Sequence, residues 1–229
     1  MKRILSYLER LWTTDFALTS LLVFLLIYIF IVYPLGHFGT FRLITTVFFS
    51  LILITGAITV SGNRMFRTLV FSCGIITFIF LWIRYLFPQQ TFVLAANGLA
   101  LFFLVLLTFL ILIQALREGP TNSHRIMGAV AAYLLLGVIW SLAYYITALL
   151  IPEAFIFSKS PASGDGESIQ SQLFYFSFIT LTTLGYGDIA PVHPTARMLA
   201  ILEGVAGQLF PAILIARLVA LHVQTGQKR

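Results

Sequence analysis

Seven consecutive residues, Thr182-Thr183-Leu184-Gly185-Tyr186-Gly187-Asp188, combine two glycines one residue apart with two threonines before them and a carboxylate after them. Two chemistries fit such a run. In the first, the backbone acts. Successive carbonyls of an ordinary strand point to opposite sides, but residues that alternate into the left-handed region turn them all the same way, and glycine enters that region without steric cost. Glycines at 185 and 187 suit such a column of oxygens, which could replace the water around a dehydrated cation. In the second, Asp188 would be one of two membrane-embedded aspartates sharing a proton, as in aspartyl hydrolysis. The other aspartates are Asp15, at the cytoplasmic edge, and Asp165, in an outer loop. Neither can complete a pair, so the sequence is read as a non-enzyme.

The elements around this run must hold it inside a bilayer. Of the 229 residues, 59% are hydrophobic and only 10% charged, with a mean hydropathy of +0.98, which excludes an ordinary soluble protein. Clustered charges leave charge-free intervals at 16–41, 43–63, 68–83, 85–116 and 126–152. An apolar helix of about 20 residues crosses the hydrocarbon core, so most of these are long enough; 68–83 reaches that length if Arg67 and Arg84 snorkel to the interfaces. Two further apolar stretches follow, at 168–187 and about 198–221. Met1-Lys2-Arg3 opens the chain like a signal peptide, but Glu9, Arg10 and Asp15 intervene and no small-residue cleavage site follows Tyr33, so the first span is expected to be retained.

With the N-terminus inside, Lys2, Arg3, Arg10, Arg64, Arg67, Arg117, Arg125, Arg217, Lys228 and Arg229 are cytoplasmic, against Arg42, Arg84, Lys159 and Arg197 outside. This bias fits six spans with both termini cytoplasmic, in the cell (inner) membrane. The net charge of +6 therefore reflects membrane orientation, and no nucleic acid is implied. Cys73, the single cysteine, cannot form an intrachain disulfide.

The strongest boundary is Arg117 to Arg125, where charge, Gly-Pro and small polar residues interrupt apolar sequence. It divides a four-span unit, 1–118, from a second unit, 123–229. In the second unit, 152–167 reads as an exposed outer loop. Ser168 is then expected to cap a helix from about Gln170 to Thr182, with Asp165 and Glu167 at its positive end. At about 13 residues, roughly 20 Å, that helix cannot span. It must dip in and return, and irregular backbone at membrane depth belongs beside protein or a watery cavity. Only eight residues follow Leu221, so no soluble sensing domain is expected.

The run Thr182 to Asp188 resembles the potassium-channel signature. From Ala132-Tyr133-Leu134-Leu135-Leu136-Gly137 through Tyr175-Phe176-Ser177-Phe178 to Ile215-Ala216-Arg217-Leu218-Val219, the second unit is similar to the pore domain of small bacterial ion channels without a cytoplasmic domain. The first unit resembles the peripheral domain of six-span channels in number and position only. The resemblance implies an all-α membrane protein: six transmembrane helices, a re-entrant pore helix and a filter loop, assembled as a homotetramer, because coordination requires rings of oxygens from four chains. It implies potassium ions at the carbonyls of Thr183, Leu184, Gly185 and Tyr186 and the Thr183 hydroxyl, with no other cofactor. Thr182 and Gly187 support the filter. Tyr186 is expected to pack outward on Tyr175 and Phe176, and Asp188 to bond to Tyr175 and concentrate cations at the mouth. Leu184 stands where the family most often has valine, which bears on filter kinetics more than on selectivity.

In the last span, Pro211 lacks an amide hydrogen and its ring opposes the Gly207 carbonyl, so a kink is expected. Gly207 matches the family's hinge in its spacing from Asp188; a static bend and a moving gate both fit. Helical spacing puts Gln208, Pro211 and Ile215 on one face, toward a cavity. Glu203 is an ionisable residue inside a span, where it is costly; a hydrogen bond to the pore helix and a part in gating both fit. His193 reads as a loop residue. Other functions weighed are a transporter component, which would carry four pore repeats in one chain, and a non-conducting regulatory subunit.

Overall fold

Apolar helices follow where the sequence is charge-free, because a backbone in lipid must satisfy its own hydrogen bonds. The computed structural model describes residues 16–32, 42–59, 64–115, 123–158 and 166–226. Helix α1 covers Phe16–Val32 and closes in a π turn, Tyr28–Val32. Then come α2 (Arg42–Thr59), α3 (Arg64–Leu86), α4 (Gln90–Ala115), α5 (Ser123–Leu150), β1 (Phe155–Phe157), α6 (Gly166–Leu181), β2 (Ile189–Pro191) and α7 (Pro194–Gly226). Among the described residues, four helices are long and apolar enough to cross a membrane: Arg67–Leu86, Gln90–Ala115, Arg125–Leu150 and Pro194–Arg217. Two further apolar helices, Phe16–Val32 and Leu43–Thr59, are shorter. This is a mostly helical, multi-pass membrane protein.

Several hydroxyls within these helices are neutralised locally. Ser50 donates to the Thr46 carbonyl, Thr77 to Cys73 and Thr147 to Ala143, at 2.7, 2.8 and 2.8 Å; each back-bond to the preceding turn spares a hydroxyl from facing hydrocarbon. Arg84 does not simply snorkel. Its Nη1 donates to Asn97 Oδ1 at 3.3 Å, tying α3 to α4, and it borders a cavity of about 70 Å³ of mixed lining together with Thr46, Ser141 and Gln170. That cavity lies on the flank of α6, apart from the 182–188 run.

The two sequence units share one core. Leu18, Leu21 and Leu25 of α1, Ile52 and Leu53 of α2, and Phe103, Leu104 and Leu107 of α4 pack in one buried cluster with Ala131, Leu135 and Val138 of α5 and Phe174 of α6. Residues of α1, α2 and α4 thus pack directly on α5 and α6 of the same chain. Residues 116–122 of the intervening linker lie outside the described residues.

Three expectations need correction. The short helix begins at Gly166, so Ser168 stands inside it and is not its N-cap; Asp165 lies outside the described residues. Residues 152–167 are not simply a loop, and the fold is not purely α. Strand β1 pairs antiparallel with β2, Phe155 opposite Pro191, Ile156 opposite Ala190 and Phe157 opposite Ile189. In this ribbon Phe155 and Ile189 face the core. Pro211 lies within α7, which is helical on both sides of it.

Candidate functional site

The 182–188 run is positioned from both ends. At its start, α6 is seated against α5 by a missing side chain: a Cβ at Gly137 would stand 2.6 Å from Phe178 Cζ. On the other face of α6, Phe176 meets Tyr144 edge to face at 5.0 Å and Phe155 at 5.8 Å. Aromatic packing of this kind fixes the height and roll of α6. At the last turn the Thr182 hydroxyl donates to the Phe178 carbonyl at 2.6 Å.

The chain then folds back under its own helix end. The N–H groups of Leu184 and Gly185 both donate to the Ile179 carbonyl, at 2.8 and 3.2 Å, and that of Thr183 to Thr180 at 3.0 Å. Helix ends leave carbonyls without partners, and here the run itself supplies the donors. The backbone alternates into the left-handed region at Thr183 (φ 61°), Gly185 (φ 50°) and Gly187 (φ 78°). The glycines are where this geometry favours them; Thr183 adopts it against the preference of a β-branched residue, which the sequence did not announce. Among the described residues, the carbonyls of Thr183, Leu184, Gly185 and Tyr186 accept no backbone hydrogen bond.

At the far end, the Asp188 carbonyl accepts from the Ser158 N–H at 2.9 Å, and the Ala154 carbonyl from the Val192 N–H at 2.9 Å. The β1–β2 ribbon thereby anchors the exit of the run one residue after Asp188. The Asp188 side chain lies near the Tyr175 hydroxyl, and its Oδ1 is buried without a hydrogen-bond partner among the described residues. Tyr186 is 67% exposed. Phe176, expected beside it, is instead buried against Tyr144 and Phe155 on the opposite side of α6.

Helix α7 approaches the base of the run at one point. A Cβ on Gly207 would fall inside the Leu181 carbonyl, and would lie 2.9 and 3.1 Å from the Leu181 carbonyl carbon and Cα. The same carbonyl accepts from the Tyr133 hydroxyl at 3.3 Å. Gln208 and Ile215 are exposed and Pro211 half-buried. His193 is a loop residue at the start of α7, where its Nδ1 accepts from the Thr195 N–H at 3.2 Å. Glu203 is fully buried and bonds to Tyr144 and to Ser177 of α6, which answers the sequence question of its partner. Tyr133, Tyr144, Ser177 and the β1 residues carried no signal in the sequence beyond their apolar setting. No cluster of metal-ligating side chains occurs among the described residues.

A run of carbonyls without backbone hydrogen-bond partners, fixed at both ends and carrying a carboxylate at its exit, is suited to cation coordination by backbone oxygens. The comparisons agree with that chemistry. A family model described as "Ion channel" matches residues 132–224. The chain is 30% identical over 125 residues to Protein LctB of Bacillus caldotenax, covering 48% of this chain and 92% of that protein. It is 32% identical over 109 residues to the mouse potassium voltage-gated channel subfamily A member 10, covering 47% of this chain and 19% of that protein. With Two-pore potassium channel 4 of Arabidopsis thaliana it shares 35% identity over 74 residues, 32% of this chain and 26% of that one. No solved structure matches.

Proposed function

The chain belongs to the potassium-channel family of ion channels, and from that premise we propose that four copies form a potassium-selective pore with Thr183 to Gly187 as the filter of each. The observation that carries this reading is the run itself: alternating positive φ at 183, 185 and 187 with four carbonyls left unpaired. One chain supplies one column of oxygens, whereas a dehydrated ion needs them on all sides. Residues 182–187 are all exposed in the single chain, although backbone at membrane depth is stable only beside protein or water. Helix α7 points the same way. Only 11% of its spanning window is buried, against 50% for α4 and 56% for α5, leaving its remaining surface for neighbouring copies. In this assembly Tyr186 packs outward between subunits, Asp188 lines the outer mouth, and Gln208, Pro211 and Ile215 face the cavity below. The two shorter apolar helices complete six spans, with both termini cytoplasmic in the inner membrane.

The proposed channel is not steeply voltage-gated. One elementary charge crossing 100 mV contributes about 2.3 kcal/mol. Helix α4, in the position of a sensor helix, contains no charged residue, and Arg84 is tied to Asn97. Planar-bilayer recording tests both claims: potassium currents blocked by barium, with an open probability that varies weakly across both polarities. A tenfold change within about 10 mV would need roughly six charges moving through the field and would overturn the gating claim. Protein that carries no ion would leave the regulatory-subunit reading in its place.

A further inference from the structure

Two oxygen–oxygen contacts meet at Glu203, and a third runs on from Ser177, where α5, α6 and α7 converge. Tyr144 Oη lies 2.5 Å from Glu203 Oε2, Ser177 Oγ lies 2.6 Å from Glu203 Oε1, and the same Ser177 Oγ lies 2.7 Å from the Gly137 carbonyl. Each contact is a hydrogen-bond length and needs one proton between its oxygens. Tyr144 and Ser177 hold one proton each, and a carbonyl holds none. With an ionised carboxylate, two protons would serve three contacts, leaving Ser177 with a lone pair facing either Gly137 or Glu203. A neutral carboxylic acid supplies the third. Its Oε1–H donates to Ser177 Oγ, the Ser177 hydroxyl donates to the Gly137 carbonyl, and the Tyr144 hydroxyl donates to Oε2.

The surroundings agree with this count. Glu203 is 0% exposed, and Tyr144 and Ser177 are its hydrogen-bond partners among the described residues. The titratable groups that face it from the packed elements are Tyr144 and Tyr133 of α5; the α6 contact, Ser177, does not titrate. A buried carboxylate without a cation is unfavourable in protein and more so at membrane depth. Ser177 lies one turn before Leu181, whose carbonyl faces Gly207, and six residues before Thr183.

We propose that Glu203 is held as a neutral acid and is a positioning residue for the filter, joining α6 to both α5 and α7 so that the base of the filter keeps its distance from the pore axis. This rests on the reading of 183–187 as the filter. Infrared spectra of the full-length protein in liposomes should show a carboxylic-acid carbonyl band at neutral pH that disappears in Glu203→Gln. The amide keeps an N–H for Ser177 and an oxygen for Tyr144, so Glu203→Gln should hold potassium-over-sodium selectivity within about twofold. It should also hold it at alkaline pH, where loss of the band in the natural protein is accompanied by loss of selectivity. Glu203→Leu and Ser177→Ala should lower selectivity at least about tenfold, equivalent to about 1.4 kcal/mol. Absence of the acid band at neutral pH, or Gln failing as badly as Leu, would overturn the proposal. A natural protein that shows the band and passes no potassium would instead sink the filter reading.

Discussion

Replacing Gly207 with alanine is expected to abolish potassium conduction and to loosen the proposed tetramer. The added methyl would overlap the Leu181 carbonyl and crowd the adjacent carbon and Cα. These are backbone atoms at the end of α6, and they cannot rotate aside as a flexible side chain does. Either α7 moves out or the base of the filter moves in. Overpacking costs about 1–3 kcal/mol per site, so four copies would lose about 4–12 kcal/mol per tetramer. Gly98→Ala is the control: it lies in α4 with nothing within 4 Å of an added Cβ, and the gain in helix propensity should leave conduction and stability at least as high. The measurement is single-channel conductance together with thermal dissociation of the tetramer. A Gly207→Ala protein matching the natural one in both would mean that α7 does not rest on Leu181.

The second large effect is at Gly185, where the reason is conformation and not space. An added Cβ there meets nothing within 4 Å, but φ is +50°. Alanine in the left-handed region costs about 1–2 kcal/mol per residue, or about 4–8 kcal/mol over a tetramer. The relaxed alternative turns the carbonyl away from the column and removes a ring of oxygens. Gly185→Ala is therefore expected to lose potassium current altogether. Leu184→Val changes a side chain while leaving the backbone oxygen in place, so it should retain selectivity and alter only open times or conductance. Equal selectivity in Gly185→Ala and the natural protein would contradict the role of positive φ.

Much of this arrangement was legible in the residues. Glycines alternating with side-chain residues at 185 and 187 announced the left-handed positions. Charge-free intervals announced the helices. What was hidden depended on contacts distant in sequence. Phe155 to Phe157 has too few residues to show strand periodicity, and it becomes a strand only because Ile189 to Pro191 returns beside it. Ser177 and Tyr144 are ordinary helix residues until Glu203 arrives 26 and 59 positions later. The fit of Gly207 against Leu181 likewise reads in the sequence as flexibility, whereas the structure gives it a steric reason. Phe176 packs on Tyr144 and Phe155, a choice of face that periodicity alone does not make in so apolar a helix.

The central claim is that backbone oxygens of residues 183–186 select potassium. The most direct measurement is the reversal potential of the reconstituted protein with potassium on one side of a planar bilayer and sodium at equal activity on the other. Selective coordination predicts a reversal potential displaced far toward the potassium side, with a permeability ratio well above tenfold, or more than about 1.4 kcal/mol of discrimination. A reversal potential near zero, showing comparable sodium and potassium permeability, would contradict it.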